Sequence, residues 1–306
     1  MDLRDAFFDQ IYFHAINNKD IYIVTNDMDI FSLRKFKDKF PDRFFNMGVA
    51  EQNMLNFAAG LASQKKIVLI YGILPFLVYR SYEQLKFNIC SMQLPVILTG
   101  VGTGLSFSYD GPTHHATHDI ASLNSLPELN IYNPGTPSLA SKVANTCLKN
   151  KLPSFVRLDK GEFLEQVNIY RKHEGFNVIR NLSDINIIYT GTLSKKIISL
   201  LNDNKLKKFS IGLIELYRVK PFPPSLIEKI RKTTKKLIVI EENSCLSGIS
   251  SILAFYLLKN NVHIDTNFFG LIDKQILNYG NRDWLMNHGG LNFKKIKNTI
   301  LRYLNK

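Results

Sequence analysis

The sequence has 306 residues, of which 45% are hydrophobic, and carries a formal net charge of +13 at pH 7. This length and composition favour a globular protein of about two domains, each with its own core. The sequence contains no run of about 18 apolar residues, and its first residues lack the profile of a signal peptide, so we expect no membrane partner and a cytoplasmic location. The lysines are scattered or paired rather than arranged in a stripe with aromatic residues, which argues against a nucleic-acid partner and leaves biased composition as the simplest account of the charge.

The three cysteines, Cys90, Cys147 and Cys245, lie far apart in the sequence. Their spacing matches no zinc-ligand pattern and no dense disulfide framework. We therefore expect simple buried thiols.

The first half of the sequence alternates short apolar strands with helices. Such alternation predicts a mostly parallel, doubly wound α/β sheet. The predicted helices are 4–17, 31–40, about 80–92, 119–126 and 137–150, and the predicted strands are 21–25, 67–71, 95–99, 130–132 and 154–158. A long loop is predicted between the second of these strands and residue 79.

A second set of α/β elements follows a charged segment, near 160–184, in which the hydrophobic periodicity fades. The predicted strands are 186–189, 209–214, 237–240 and 264–269, and the predicted helices are 194–201, 224–232, 248–258 and 293–303. We therefore place one doubly wound α/β domain at 1–165, a linker at 166–183 and a second such domain at 184–306.

A stretch rich in small residues, 44–62, is predicted to be a strand end or loop that turns into a helix. Glu51 lies near the start of this helix among mostly apolar neighbours. A carboxylate in such a place must be solvated, paired or used in chemistry, because burying an unpaired charge is expensive. The structural alternative is a first-turn glutamate that complements the helix dipole.

A glycine-rich loop, predicted at 100–117, directly follows a strand. The segment 110–119 contains three histidines and two aspartates, which can exchange protons with a polyhydroxylated substrate. Zinc is a disfavoured alternative, because the adjacent His114 and His115 point in different directions and the spacing matches no known zinc motif.

These two stretches together resemble the pyrimidine-binding domain of the transketolase family of thiamine diphosphate enzymes. The resemblance rests on Met-Gly-Val-Ala-Glu-Gln-Asn at 47–53, Phe-Ala-Ala-Gly at 57–60, and Asp-Gly-Pro-Thr-His at 110–114 with Asp119. It runs through 80–84 and 155–157 and continues more weakly at 189–191 and 239–243, which resemble the family's C-terminal domain. The resemblance thus covers nearly the whole chain and implies a pyrimidine-binding fold followed by a transketolase C-terminal-like domain.

The resemblance implies cofactor-binding roles for four residues. Glu51 would bond to a ring nitrogen of the cofactor's aminopyrimidine and promote the imino form that deprotonates the thiazolium carbon. Phe76 would stack on the aminopyrimidine, although an ordinary packing phenylalanine is an alternative. Gln52 and Arg80 would lie beside the cofactor, and Arg80 could instead contact an anion or pair with a nearby glutamate.

The resemblance also implies substrate-binding roles. Asp110 and His114 would contact sugar hydroxyls and help proton transfer. Arg157 would hold the substrate phosphate, and its structural alternative is a salt bridge with Asp159. Asp27 follows the first strand and would line the cleft.

The family's diphosphate and Mg²⁺ motif, Gly-Asp-Gly, does not occur in this sequence. The sequence also begins near the point where the second domain of a full-length transketolase would start. We therefore expect no metal ligand in this chain and a separate N-terminal thiamine diphosphate-binding subunit, in an α2β2 heterotetramer, that supplies the Mg²⁺ site.

The implied activity is transfer of a two-carbon ketol unit between sugar phosphates. The Asp-Gly-Pro-Thr-His loop separates the chain from the beta subunits of 2-oxo acid dehydrogenases. Deoxyxylulose phosphate synthases share this loop but have an arginine where Thr103 stands, and this departure favours ketol transfer. A synthase-like or a 2-oxo acid dehydrogenase beta-type subunit is kept as the alternative. A non-catalytic partner of a thiamine enzyme is a further alternative, and Asn53, where the family commonly has histidine, leaves the sugar donor and acceptor open.

Overall fold

Two mixed β-sheets, each packed against helices, organise the chain in its computed structural model, which describes residues 1–165 and 167–304. Gln166, the first residue of the predicted linker, and residues 305–306, at the end of the predicted second domain, lie outside the described residues.

The strands are short and are numbered in chain order. Their bounds are β1 (Ile21–Thr25), β2 (Phe44–Asn46), β3 (Ile67–Ile73), β4 (Val96–Val101), β5 (Asn130–Tyr132), β6 (Ser154–Leu158), β7 (Arg171–Lys172), β8 (Phe176–Arg180), β9 (Ile185–Tyr189), β10 (Gly212–Leu216), β11 (Arg218–Lys220), β12 (Lys236–Ser244) and β13 (Asp265–Leu271).

The helices connect most of these strands. Their bounds are α1 (Leu3–Asn17), α2 (Phe31–Lys39), α3 (Glu51–Ser63), α4 (Leu74–Tyr79), α5 (Tyr82–Gln84), α6 (Asp119–Asn124), α7 (Pro137–Asn150), α8 (Ser194–Leu201), α9 (Pro224–Thr233), α10 (Ile249–Lys259), α11 (Arg282–His288) and α12 (Phe293–Leu304). A π-helical turn, Leu85–Cys90, continues α5.

The first sheet has the order β11-β5-β6-β4-β3-β1-β2, and the second has the order β13-β12-β9-β10-β8-β7. The strands of the first sheet are parallel except for β11, which pairs antiparallel with β5. In the second sheet β13, β12, β9 and β10 are parallel, whereas β8 and β7 are antiparallel additions. The prediction of two α/β domains with mostly parallel sheets is confirmed.

Several elements differ from the sequence prediction. The predicted loop before residue 79 is wrong, because it contains α4, whose Pro75 lies in the first turn, where its missing N–H costs little. The helix predicted at 80–92 is replaced by the short α5 and the π-helical turn. Strands β7 and β8 lie inside the segment predicted as a linker and pair within the second sheet.

Both faces of the first sheet are buried. Along β3, Val68 and Ile70 join one hydrophobic cluster, while Leu69 and Tyr71 join another on the opposite face. This burial on both faces explains the continuous apolar run of β3. The cysteines are free, with Cys90 and Cys147 buried as predicted and Cys245 partly buried.

The parallel strands β1, β3, β4 and β6 all end at one edge of the first sheet. The polar residues that follow these strands are therefore brought together, as in other parallel α/β sheets. None of the helices in residues 1–165 and 167–304 is both long and apolar enough to cross a lipid bilayer.

Candidate active site

Glu51 is the first residue of α3, and its side chain is only 4% exposed. One carboxylate oxygen accepts hydrogen bonds from Arg80 Nη1 and from Asn26 Nδ2, both at 3.1 Å. The Arg80 guanidinium also lies 3.3 Å from the second oxygen. The buried charge is therefore paired and held in one position, and it also lies in the first turn of α3, where the helix dipole favours it.

Arg80 and Phe76 link this carboxylate to the loop that follows β4. Arg80 caps α4, and its guanidinium carbon lies 4.0 Å from the centre of the Phe76 ring. The Phe76 ring in turn meets the His114 ring edge to face at 4.9 Å. Gln52 donates from its side-chain amide to the carbonyl of Arg80 at 3.0 Å. Four of the predicted site residues, Glu51, Phe76, Arg80 and His114, thus form one continuous contact path.

An open pocket of about 580 Å³ lies at the start of α3. Its lining residues are Val49, Ala50, Glu51, Gln52, Asn53 and Arg80. The pocket therefore exposes a fixed carboxylate edge and a guanidinium to an incoming molecule.

The segment 102–118, which we call the histidine loop, connects β4 to α6. Gly102 has a positive φ of 94°, and a Cβ there would lie 2.2 Å from the Phe107 ring, so the chain requires glycine. Phe107 lies 5.8 Å from the His114 ring, and Lys160 Nζ lies 3.7 Å from the Phe107 centroid. The loop thus folds its aromatic residue against His114.

The two adjacent histidines have different surroundings. His114 is half-buried beside Phe76, and its Nδ1 lies 3.0 Å from Thr113 Oγ1. Burial, together with the neighbouring His114, lowers the pKa of the His115 imidazole, which Asp110 partly opposes. Across the described part of the chain, no three His, Cys, Asp or Glu side chains are grouped so that they could hold a metal ion.

Asp110 and Asp27 are exposed and lie outside the contact path. Asp110 is in the histidine loop, close enough to influence His115. Asp27 exchanges hydrogen bonds with the Asn46 side chain at 2.9 Å and borders a separate depression of about 600 Å³. Their predicted contacts with substrate stay predictions.

Arg157 is only 2% exposed and lies beneath the histidine loop. It donates to both oxygens of Asp119, at 2.7 and 3.1 Å, and to Asn243 Oδ1 at 2.9 Å. Arg157 thus forms a salt bridge, but its partner is Asp119, so the predicted pairing with Asp159 is wrong. The predicted phosphate contact of Arg157 stays a prediction, and in this structure acceptors of the chain itself occupy the guanidinium.

Asp159 instead pairs with Arg282 at 2.7 Å and accepts a hydrogen bond from Thr103 at 2.9 Å. Burial alone would raise the pKa of this carboxyl, but the Arg282 charge and the hydrogen bonds outweigh that effect and hold it below its usual range. Thr103, which belongs to the histidine loop, is thus buried and engaged by Asp159, and it does not line the pocket at the start of α3.

Sequence reasoning missed the residues that support this site. Asn26 is 6% exposed, and Gly72 leaves room for its side chain. Its position directly after β1 is a sequence signal that could have identified it. From the second domain, Glu242 reaches the histidine loop and Asn243 reaches Arg157 beneath it. No local pattern signals this, because Glu242 contacts Leu105, which is 137 residues away in the sequence.

Comparisons with known proteins agree with this architecture. The profile of the family "Transketolase, pyrimidine binding domain" matches residues 1–165, and that of "Transketolase, C-terminal domain" matches residues 175–296. The chain is 28% identical over 293 residues to 1-deoxy-D-xylulose-5-phosphate synthase of Chlamydia felis, covering 94% of this chain and 45% of the relative. It is 28% identical over 310 residues to a subunit of the apulose-4-phosphate transketolase of Phocaeicola vulgatus, covering 99% and 97%.

Solved structures show the same fold. A split-gene transketolase described as an inactive beta4 tetramer matches with a TM-score of 0.86 at 22% identity, covering 100% of this chain and 99% of that one. The transketolase of Campylobacter jejuni matches with a TM-score of 0.82 at 13% identity, covering 99% and 46%. The chain therefore spans less than half of the deoxyxylulose phosphate synthase and almost all of the apulose-4-phosphate transketolase subunit. On these profile matches, the chain belongs to the transketolase family, of which it contains the pyrimidine-binding and C-terminal domains.

Proposed function

We propose that this chain is the pyrimidine-binding subunit of a two-chain transketolase that transfers a two-carbon ketol unit between sugar phosphates. One observation carries the proposal: the buried Glu51 carboxylate is held by Arg80 and Asn26, and the contacts of Arg80 continue through Phe76 to His114. This path joins a fixed acid to a histidine that can reach a substrate.

The residues of this site fit the aminopyrimidine of thiamine diphosphate. A ring with ring nitrogens and an amino group needs a carboxylate acceptor and an apolar face, which Glu51 and Phe76 supply. Asn26 Oδ1 adds a buried acceptor that has no hydrogen-bond partner among the described residues. When bound, the cofactor would supply a nucleophilic thiazolium carbon. Glu51 would stabilise the protonated ring nitrogen, and its burial keeps that interaction poorly screened.

His114 and Asp110 would act on the substrate. His114 is half-buried against Phe76 and can move a proton at a sugar hydroxyl, and the exposed Asp110 can accept a hydrogen bond from one. Asp27 would line the outer part of the cleft. Arg157 would reach a phosphate only if it released Asp119 and Asn243, so Arg80 or the partner subunit is the better candidate for phosphate binding.

The proposed partner is an N-terminal subunit that carries the diphosphate and Mg²⁺ site. The relative from Phocaeicola vulgatus is itself named as one subunit of a transketolase, and the split-gene transketolase is described as inactive in its beta4 form. We propose an α2β2 heterotetramer in the cytoplasm. The positive charge of this chain would favour association with an acidic partner and with anionic substrates.

A deoxyxylulose phosphate synthase activity is the second candidate, because a synthase relative shares 28% identity with this chain. Thr103 weighs against it, since this residue is buried and donates to Asp159 rather than presenting a cation to the pocket. The two activities differ in their donor. A ketose phosphate should support turnover by a transketolase, whereas pyruvate with an aldose phosphate should support turnover by a synthase.

The test is reconstitution with the subunit that carries the Gly-Asp-Gly segment, in the presence of thiamine diphosphate and Mg²⁺. We expect turnover only in the mixture, and we expect Glu51→Gln to lower kcat by about 10²–10⁴-fold, which is the usual contribution of a positioned acid or base. Glu83→Gln makes the same chemical change at an exposed position of α5 and is the matched control, which should leave turnover unchanged.

Full activity of Glu51→Gln would contradict the assignment of Glu51. Complex formation without turnover on any sugar phosphate or pyruvate would favour a non-catalytic partner subunit instead.

A further inference from the structure

The base of the histidine loop is closed by two hydrogen bonds between its ends. Gly104 N donates to Ala116 O at 3.1 Å, and Ala116 N donates to Gly104 O at 2.8 Å, which forms an isolated antiparallel bridge. Asp110 and His114 both lie within the segment that this bridge closes. Their position therefore depends on what holds the bridge to the rest of the molecule.

Three consecutive residues of β12, in the second domain, hold this base, Glu242 and Ser244 by direct hydrogen bonds and Asn243 through Arg157. Glu242 accepts a hydrogen bond from Leu105 N at 2.9 Å. Asn243 accepts one from Arg157 Nη2 at 2.9 Å, and the same guanidinium nitrogen lies 3.2 Å from Ala116 O. Ser244 N donates to Thr117 O at 3.1 Å. The second domain thus holds both ends of the loop.

Glu242 is itself fixed from the other side by Arg282. The guanidinium donates to both carboxylate oxygens, at 2.8 and 2.7 Å, and also pairs with Asp159 of the first domain at 2.7 Å. Glu242 is 8% exposed and Asp159 is fully buried, so these interactions are poorly screened by solvent. The anchor is consequently a buried ionic network that joins the two domains.

The backbone at Gly104 allows this close approach. Gly104 has a positive φ of 56°, and a Cβ there would lie 2.6 Å from the Glu242 carboxylate carbon. The Glu242 carboxylate can therefore lie this close to the loop only because residue 104 has no side chain.

From this geometry we infer that Glu242 and Asn243 are positioning residues of the active site, which set the place of His114 and Asp110 by anchoring the base of the histidine loop from the second domain. The consequence for turnover rests on the proposed function, whereas the anchoring itself does not. This inference gives the C-terminal domain an indirect part in substrate binding, through the position of the loop.

The test compares two neighbouring buried glutamates. Glu241 directs its carboxylate oxygens to Ile249 N and Ser250 N in the first turn of α10, both at 2.8 Å, so it supports the second domain without holding the loop. Amide hydrogen exchange in peptides that span 104–117 of the full chain should be about tenfold faster in Glu242→Ala and unchanged in Glu241→Ala. Glu242→Gln keeps an acceptor for Leu105 N–H and should restore part of the protection.

In the assembled enzyme, Glu242→Ala should raise the KM for the sugar phosphate about tenfold while the apparent Kd for thiamine diphosphate stays the same. Asn243→Ala should give the same pattern more weakly, and it serves as the test variant if Glu242→Ala does not fold. Equal loosening of the loop in Glu241→Ala, or unchanged exchange in Glu242→Ala and Asn243→Ala, would overturn the inference. Faster exchange in a chain that has no sugar phosphate activity in any assembly would overturn the proposed function and leave the anchoring intact.

Discussion

The two halves of the candidate site are built in different ways. On the side of Glu51, which is the proposed cofactor side, Asn26 follows β1, Glu51 begins α3 and Arg80 caps α4, so each contact lies within the first domain. The histidine loop, in contrast, is held by Glu242 and Asn243 from the second domain. The comparison indicates that the Glu51 carboxylate is positioned by local contacts, whereas the position of His114 depends on the correct docking of two domains.

Two arginines should show this difference most strongly. Arg157→Met removes the buried partner of Asp119 beneath the loop, and we expect it to lower the free energy of unfolding by about 3–5 kcal/mol. Arg80→Met removes a half-exposed partner of the buried Glu51 carboxylate, which Asn26 still binds, and should cost less, about 2 kcal/mol. Urea unfolding measures both values. Similar losses for the two variants would show that the two halves are equally integrated in the core.

The free energy of unfolding should also depend on pH through a buried carboxyl of the second domain. Burial raises the pKa of the Glu215 carboxyl from its ordinary value of 4.5 to about 7. The unfolded chain loses this proton above about pH 4.5 and the folded chain only near pH 7, so the free energy of unfolding should fall across that interval and stay low above it. The shift corresponds to about 3 kcal/mol.

Glu215→Gln removes this loss, because the amide does not ionise. It should therefore be more stable than the natural chain at pH 8, by up to about 3 kcal/mol, and should lose that advantage at pH 4. Glu228→Gln, at an exposed position on α9, is the control and should leave the free energy of unfolding unchanged at both pH 4 and pH 8. A stability gain that is the same at pH 4 and pH 8 would contradict the buried neutral carboxyl.

Two glycines give the smallest expected effects, with opposite signs. Gly104→Ala places a Cβ against Glu242 at a positive φ and should cost about 1–2 kcal/mol, with faster exchange in the histidine loop. Gly60→Ala lies in α3 on the cofactor side with no atom within 4 Å of the added Cβ, and should stabilise the chain by about 0.5–1 kcal/mol. Thermal unfolding measures the change in stability of both variants. A destabilising Gly60→Ala would show that the cofactor side is packed more tightly than the structure indicates.

Much of the fold could be predicted from the sequence, because the buried parallel strands are continuous apolar runs such as Val68–Leu69–Ile70. Strand β11 was not predictable, since Arg218–Lys220 is short, basic and paired with a strand of the other domain. Helix α4 escapes prediction because a proline such as Pro75 more often indicates a loop. These failures all concern segments whose structure is decided by distant partners.

The same reasoning applies to the site. Glu51 and His114 stand out in the local sequence, because a carboxylate among apolar residues and a histidine-rich loop are both unusual, and their predicted roles stay predictions. The pairing of Arg157 with Asp119 could not be identified in this way, since Asp159 is only two residues from Arg157 in the sequence, whereas Asp119 is 38 residues away. The roles of Glu242 and Asn243 depend on contacts that only the folded chain reveals.

Strand β11 has a consequence for any attempt to divide this protein. It leaves the second sheet after β10, completes the edge of the first sheet beside β5, and lets Lys220 donate to carbonyls at residues 124 and 126. A fragment cut at residue 165 would leave β5 as an open edge with unpaired N–H and C=O groups, which is the kind of surface that recruits strands from other molecules. The first domain therefore needs a strand from the second to complete its sheet, although the sequence matches two separate family profiles.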